Sequence, residues 1–227
     1  MTGWAIAGSA VSYEGLRAEQ VMPGRSCRPT LRQTLGPYPL PNSPDRSDIR
    51  ENCEGIPLYL TFNVLDDYFC TPIEGARIDI WHSDANGLYS GVANDIFDLE
   101  TMKPVGEPID MTGTTFLRGC QFTDSSGKAE FTTIVPGWYT GRIAHIHVQT
   151  IIRNLEWTAH ATQLYLPGEV ERKVYETAPY KKRGQNPIGM ERDFVIRGDA
   201  AALSQLTLRL SEEGAGYRGV VDLAVSF

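Results

Sequence analysis

Only four histidines occur in this 227-residue chain, His82, His145, His147 and His160, and two of them flank a single isoleucine. His145, Ile146 and His147 sit in an apolar, β-branched run that ends at Val148. Side chains two apart on a strand share a face. Both imidazoles would therefore point one way and Ile146 the other. Two imidazoles on one face are what a first-row metal asks of a single strand. Taken alone, the H-I-H triplet fits a solvated polar face equally well. Tyr139, in P-G-W-Y-T-G-R, stands at a turn six residues before His145. A phenol titrates near pKa ~10, and a trivalent metal would lower that enough to hold it as an anionic ligand. A core or turn aromatic is the commoner fate of such a residue. A third string, W-H-S-D-A-N-G-L-Y-S, runs from Trp81 to Ser90 and carries His82, Asp84 and Tyr89. With a distant histidine, His82 and Asp84 could form a facial triad for iron(II). Arg153 would then anchor the co-substrate of a 2-oxoglutarate oxygenase. That reading leaves Tyr139 and the histidine pair without a role, so His82 and His160 are expected to be packing residues.

The elements that must position these groups are strands. Leu58, Leu60, Phe62 and Val64 alternate with other residues, as do Ala76, Ile78 and Ile80. Leu206, Leu208 and Leu210 repeat the pattern, and so do Val221, Leu223, Val225 and Phe227. Period two marks strands with one buried face. Turn signals at Asp66-Asp67, Asn86-Gly87, Ser126-Gly127, Pro136-Gly137 and Pro167-Gly168 separate the runs. Together they predict an antiparallel sandwich or barrel. Glu169 to Glu176 reads as helical, with Val170 and Val174 four apart. Gly91 to Thr114 lacks periodicity and reads as a long loop, and such loops inside a compact domain tend to be functional. Residues 1–30 read as an N-terminal arm, and 31–227 as one catalytic domain.

The string Gly75–Ser90, then F-L-R-G at 116–119, then P-G-W-Y-T-G-R-I-A-H-I-H-V, resembles the intradiol ring-cleavage dioxygenases. That family includes catechol, protocatechuate and hydroxyquinol dioxygenases, and the likeness is to its compact single-domain branch. The resemblance runs from Gly36 through T-Q-L-Y-L and, more loosely, to Gly216-Tyr217. It implies a mainly β fold, a β-sandwich of mixed sheets with long loops and short helices. It implies one iron(III) per chain, held by Tyr89, Tyr139, His145 and His147. Tyr139 is the ligand that leaves to take a substrate proton, as an internal base, while Tyr89 stays bound. Arg142 would lie over the substrate ring and stabilise negative charge there. Gln163 would line the same pocket. Pro39 stands where the family's G-P-x-Y motif carries a pocket tyrosine, which leaves Tyr38 as the candidate substrate contact. The implied reaction uses O2 to open a catechol-type ring between its two hydroxyl-bearing carbons, giving a muconate-type product. The partners implied are a small aromatic diol or polyphenol and O2, and a homodimer is compatible with the sequence. The short Tyr139–His145 connection lacks a loop of the longer enzymes, which predicts a more open pocket.

Charge and composition remove other classes. The formal net charge is −7 with acids and bases interspersed, so no basic block points to nucleic acid. No run of eighteen apolar residues offers a membrane span. Met1 to Ser12 lacks the charged start of a signal peptide, and the expected location is cytoplasmic. Cys27, Cys53, Cys70 and Cys120 are scattered without a C-x-x-C pair, and idle thiols are expected. Related secreted members carry W-H-C-D-A. Ser83 replaces that cysteine here and leaves Cys70 alone, which fits a non-secreted protein. A non-catalytic ligand-binding sandwich stays open beside the oxygenase readings. Tyrosinate bound to iron(III) would colour the protein, and the alternatives would not.

Overall fold

The computed structural model describes residues 28–152 and 160–226. The arm expected over residues 1–30 and Arg153 lie outside the described residues, apart from positions 28–30. In chain order the strands are β1 (Pro57–Asp66), β2 (Arg77–Trp81), β3 (Ala93–Asn94), β4 (Ile109–Asp110) and β5 (Arg118–Phe122). They continue with β6 (Lys128–Ile134), β7 (His145–Ile151), β8 (His160–Tyr165), β9 (Leu210–Glu213) and β10 (Gly216–Val225). Helices α1 (Gly168–Tyr175) and α2 (Ala200–Leu206) lie between β8 and β9. One four-stranded sheet has the order β6-β1-β10-β9 and the other β5-β2-β7-β8.

The expected sandwich of mixed sheets is present. β1 pairs in parallel with β10, and every other pairing in the two large sheets is antiparallel. Leu58, Leu60, Phe62 and Val64 turn inward, all essentially solvent-free, to meet Ile78, Ile80, Ile146, Val148, Leu223 and Val225. The alternation that buries Ile146 and Val148 in this core sends His145 and His147 to the opposite face. β7 is hydrogen-bonded on both sides, by β2 and β8, so the face bearing the histidines cannot slip by one residue without exposing the core.

The helical reading of Glu169 to Glu176 matches α1. α2 corrects the reading of Leu206, Leu208 and Leu210 as one strand. Asp199 caps α2 by accepting from the Ala202 amide at 2.9 Å. Leu206 closes the helix, and β9 begins only at Leu210. The apparent period of two therefore straddles a helix end. The long 91–114 loop contains a two-residue pairing of β3 with β4.

Cys70 corrects a second expectation, because it is disulfide-bonded, whereas Cys53 and Cys120 are free. Sequence spacing carries no signal for such a pair, since bridging depends on distance in space. The cysteines therefore give no argument for a reducing compartment. Among the described residues no helix is long and apolar enough to cross a membrane.

The segment before β1 is a strap laid across both sheets. Thr30 donates its amide to Ala224, Gln33 to Ala161, Arg46 to Cys120 and Ile49 to Thr132. This path carries Gln33, Thr34, Gly36 and Tyr38 onto the histidine-bearing face.

His82 is fully buried. Its Nε2 lies 2.7 Å from the Thr133 hydroxyl and its Nδ1 2.8 Å from the Ser83 carbonyl. Burial holds its pKa down to about 4 from 6.5. A base depressed in the fold binds its proton more readily when unfolded. The stability it contributes is complete above about pH 6.5 and is lost as pH falls toward about 4, on the order of 3 kcal/mol at full extent. Denaturant melts between pH 7.5 and pH 4.5 should show a steep loss that is shallower in His82→Gln. Equal slopes in the two proteins would overturn this assignment.

Candidate metal centre and its pocket

β7 delivers the two histidines and its neighbours aim them. Across the sheet, Trp81 and Gln163 stand on either side of His147, while His145 faces Tyr165. Trp81 stacks on His147 at 4.9 Å with 6° between the rings. Above His147 lies Gly36, with φ of +76°. A Cβ there would fall 2.3 Å from the imidazole Cε1, so only glycine lets the strap approach so closely. His145 Nδ1 lies 2.7 Å from the Ile143 carbonyl. A carbonyl only accepts, so Nδ1 carries the proton and Nε2 presents its lone pair.

The two Nε2 atoms converge to 3.1 Å. Two nitrogens bound to one metal at about 2.1 Å and near a right angle lie about 3 Å apart. Tyr89 and Tyr139 complete the cluster. Ring centroids are 5.5 Å apart for the tyrosine pair, 5.6 Å for Tyr139 and His145, and 6.1 Å for Tyr89 and His147. The Tyr89 hydroxyl is buried without a hydrogen-bond partner, which costs free energy unless something takes it up. Burial raises its pKa well above 10 and depresses both imidazoles well below 6.5. Two neutral imidazoles and two phenols that can ionise make an anionic, electron-rich donor set. The residues brought together thus fit a trivalent iron ion.

The supports of this cluster come from distant positions. Tyr89 follows the Asp84–Leu88 turn, where Asp84 Oδ1 accepts the Asn86 and Leu88 amides at 2.9 and 2.8 Å. Asp84 is thus a turn residue, and the iron(II) triad with His82 is not assembled. Asn94 locks the Tyr89 backbone, accepting its amide at 2.7 Å and donating to its carbonyl at 2.9 Å. The buried Arg118 of F-L-R-G ties the Ser90 carbonyl, at 2.8 Å, to that of Tyr38, at 2.6 Å.

Arg142 lies outside β7, in a turn with Gly141 at φ +87°. The strand starts only at His145, so Arg142 is not bound by the alternation of β7. Arg142 is wholly buried and pairs with Asp193, equally buried, at 2.8 Å. Asp193 also accepts the amides of Ile143, Val195 and Ile196 at 2.9, 2.8 and 2.9 Å. The other end of the guanidinium reaches the Gln163 Oε1 at 2.5 Å, His145 Nε2 at 3.3 Å and the Tyr139 hydroxyl at 3.5 Å. Gln163 donates in turn to Thr34 on the strap at 3.0 Å.

A pocket of about 350 Å³ opens on the tyrosine side. Tyr38, Tyr89 and Tyr139 line it, as do Asp95, Ile96 and Phe97 of the long loop. Tyr38 packs on Tyr89 at 5.3 Å between centroids. Arg142 and Gln163 do not line this pocket and sit behind Tyr139 and the histidines. Sequence reading missed Asp193, Asn94, Trp138 and Arg183. Asn94 and Asp193 have roles set by contacts 5 and 51 positions away, and no local motif announces them.

The family model described as Dioxygenase matches residues 39–176. An intradiol ring-cleavage dioxygenase from Tetranychus urticae superposes with a TM-score of 0.73 at 28% identity, covering 88% of this chain and 95% of that one. The dioxygenase domain of a dioxygenase carbohydrate-binding protein fusion from Streptomyces sp. SirexAA-E gives 0.60 at 30% identity, covering 87% and 98%. A chlorocatechol 1,2-dioxygenase of Pseudomonas putida is 30% identical over 114 residues, 42% of this chain and 37% of that relative's length.

Proposed function

The chain belongs to the dioxygenase family, in its intradiol ring-cleaving group, and from that premise we propose that it opens a catechol-type ring between the two hydroxyl-bearing carbons with O2. One observation carries the reading: two imidazole Nε2 atoms 3.1 Å apart face a buried tyrosine hydroxyl without a partner. Tyr89, Tyr139, His145 and His147 would hold iron(III), which the family generally uses. Iron bound there supplies a Lewis-acidic, electron-accepting centre at which a catechol stripped of its protons becomes reactive toward O2.

The chain's own groups divide the remaining work. Tyr139 is the less buried of the two phenols, on the pocket wall and within reach of Arg142. Burial raises its pKa while Arg142 pulls it down, so its oxygen, ionised where it would hold the iron, would be basic enough to accept a substrate proton and keep it. Tyr89, 1% exposed and locked by Asn94, stays in place. Arg142 offers a fixed N–H at the Tyr139 and His145 edge, where negative charge collects as the catechol loses its protons. Trp81, Gly36 and the strap seal the histidines from water on the other side.

Oxygen uptake by iron-loaded protein over a panel of catechols tests the proposal. The expected result is uptake with a ring-opened dicarboxylate product and reddish protein. Iron-replete protein that consumes no oxygen with any catechol would sink it. The same panel tests pocket size. The wall built by Asp95 to Leu99 stands where the Tyr139–His145 connection is short, and its rim is exposed. A hydrophobic pocket discriminates a methylene by only ~1–3 kcal/mol. Ring-substituted catechols are therefore expected to have kcat/KM at least equal to that of catechol. A strong preference for unsubstituted catechol would contradict the open pocket and leave ring cleavage standing.

A further inference from the structure

Arg183 lines the pocket beside Trp138, Tyr139 and Thr140, and no established role uses it. Its guanidinium lies over the Trp138 ring, with Cζ 4.1 Å from the ring centroid. The indole is fixed from behind by its own N–H, which donates to the Gly184 carbonyl at 3.0 Å. The Arg183 Nε is buried without a hydrogen-bond partner. It packs over the turn leading to Tyr89, since a Cβ on Gly87 would come within 3.2 Å of it. Arg183 has no ion-pair partner among the described residues. Asp84 is the nearby acid that favours its charge, and that carboxylate is taken up by turn amides. Burial pushes the guanidinium below the ordinary arginine value. A half-buried cation held against an aromatic ring, with no ion-pair partner among the described residues, leaves its donor edge for a ligand.

We propose that Arg183 on Trp138 is an anion subsite of the pocket, recognising a carboxylate on the ring substituent of the catechol. This deepens the ring-cleavage reading and rests on it. The metal cluster would take the two hydroxyls at the Tyr89 and Tyr139 end, while Arg183 takes the substituent's far end. Asp95 is the pocket's own acid. It is exposed and acts on Tyr38, so it disfavours anions near Tyr38 and leaves Arg183 as the place for one.

The test compares 3,4-dihydroxybenzoate and 3-(3,4-dihydroxyphenyl)propanoate with their methyl esters in iron-loaded wild type, Arg183→Gln and Arg183→Lys. The acid-to-ester ratio of kcat/KM is expected to fall at least tenfold in Arg183→Gln for one of the acids. The change should sit in KM, and Arg183→Lys should restore part of it. An unchanged ratio in a folded Arg183→Gln, or in Arg183→Lys if the glutamine variant does not fold, overturns the subsite. If no catechol is cleaved by wild type, the ring-cleavage reading has failed, and calorimetric titration of acid and ester decides the subsite alone. Acid binding no tighter than ester, or equally tight in both variants, then refutes it.

Discussion

His147→Gln is expected to empty the metal centre and to lower turnover by more than ~100-fold. Losing an outer partner of a metal ligand typically costs ~10–100-fold, and His147 is itself the group that converges with His145 at 3.1 Å. Glutamine keeps most of the volume beneath Gly36 and beside Trp81, so a lost metal will not simply report a collapsed core. Tyr89→Phe removes a hydroxyl that has no other partner. It should leave the protein folded, even more stable without metal, yet poor in iron. Elemental analysis and visible absorbance read both variants without any assay of activity. A red, iron-replete His147→Gln would refute the ligand set.

Arg142→Ala has the second largest expected effect, and it is split between stability and turnover. Its buried pair with Asp193 has no solvent to fall back on. Breaking such a pair by removing one partner costs ~3–5 kcal/mol. The three amides that Asp193 also accepts soften that loss toward the lower figure. Below its midpoint the variant should keep iron and colour. It should lose ~10²–10³-fold in kcat, the scale on which a preorganised donor acts. Asp193→Asn keeps a neutral acceptor and should lose less of both. Near-normal turnover in Arg142→Ala would show that the guanidinium serves only to bind Asp193.

What was legible in the sequence follows from range. The H-I-H pair is visible because a strand repeats every two residues, and Ile146 turning into the core fixes where the imidazoles point. Tyr89 and Tyr139 become candidates through motifs around short turns, whose geometry is local. The freedom of Arg142 from the alternation of β7 is also legible, as a conflict between its position and the histidine face. Asp193 is not, because its identity as partner to Arg142 is decided by a contact 51 positions away. Gly36 stands out in the sequence only as part of a G-P motif, while its reason is the His147 ring 111 positions on, which leaves no space for a Cβ. The Cys70 disulfide and the α2 boundary fail for opposite reasons. The first depends on distance in space alone, and in the second a local leucine period crosses from helix to strand.

The two histidines proposed as metal ligands and the outer wall of the pocket sit on different kinds of chain. The histidines belong to a strand clamped by hydrogen bonds on both edges, where most substitutions would break the sheet before they altered selectivity. The pocket's outer wall is carried by separate surface segments: the strap at Tyr38, the loop at Asp95 to Leu99, and the turn at Arg183. Loops tolerate insertion and exchange far better than paired strands. Selection can therefore redraw the list of accepted phenols one segment at a time while the oxidising machinery is inherited intact. A lineage exposed to changing aromatic substrates would diversify at these three positions first, and a designer seeking a new substrate should start there too.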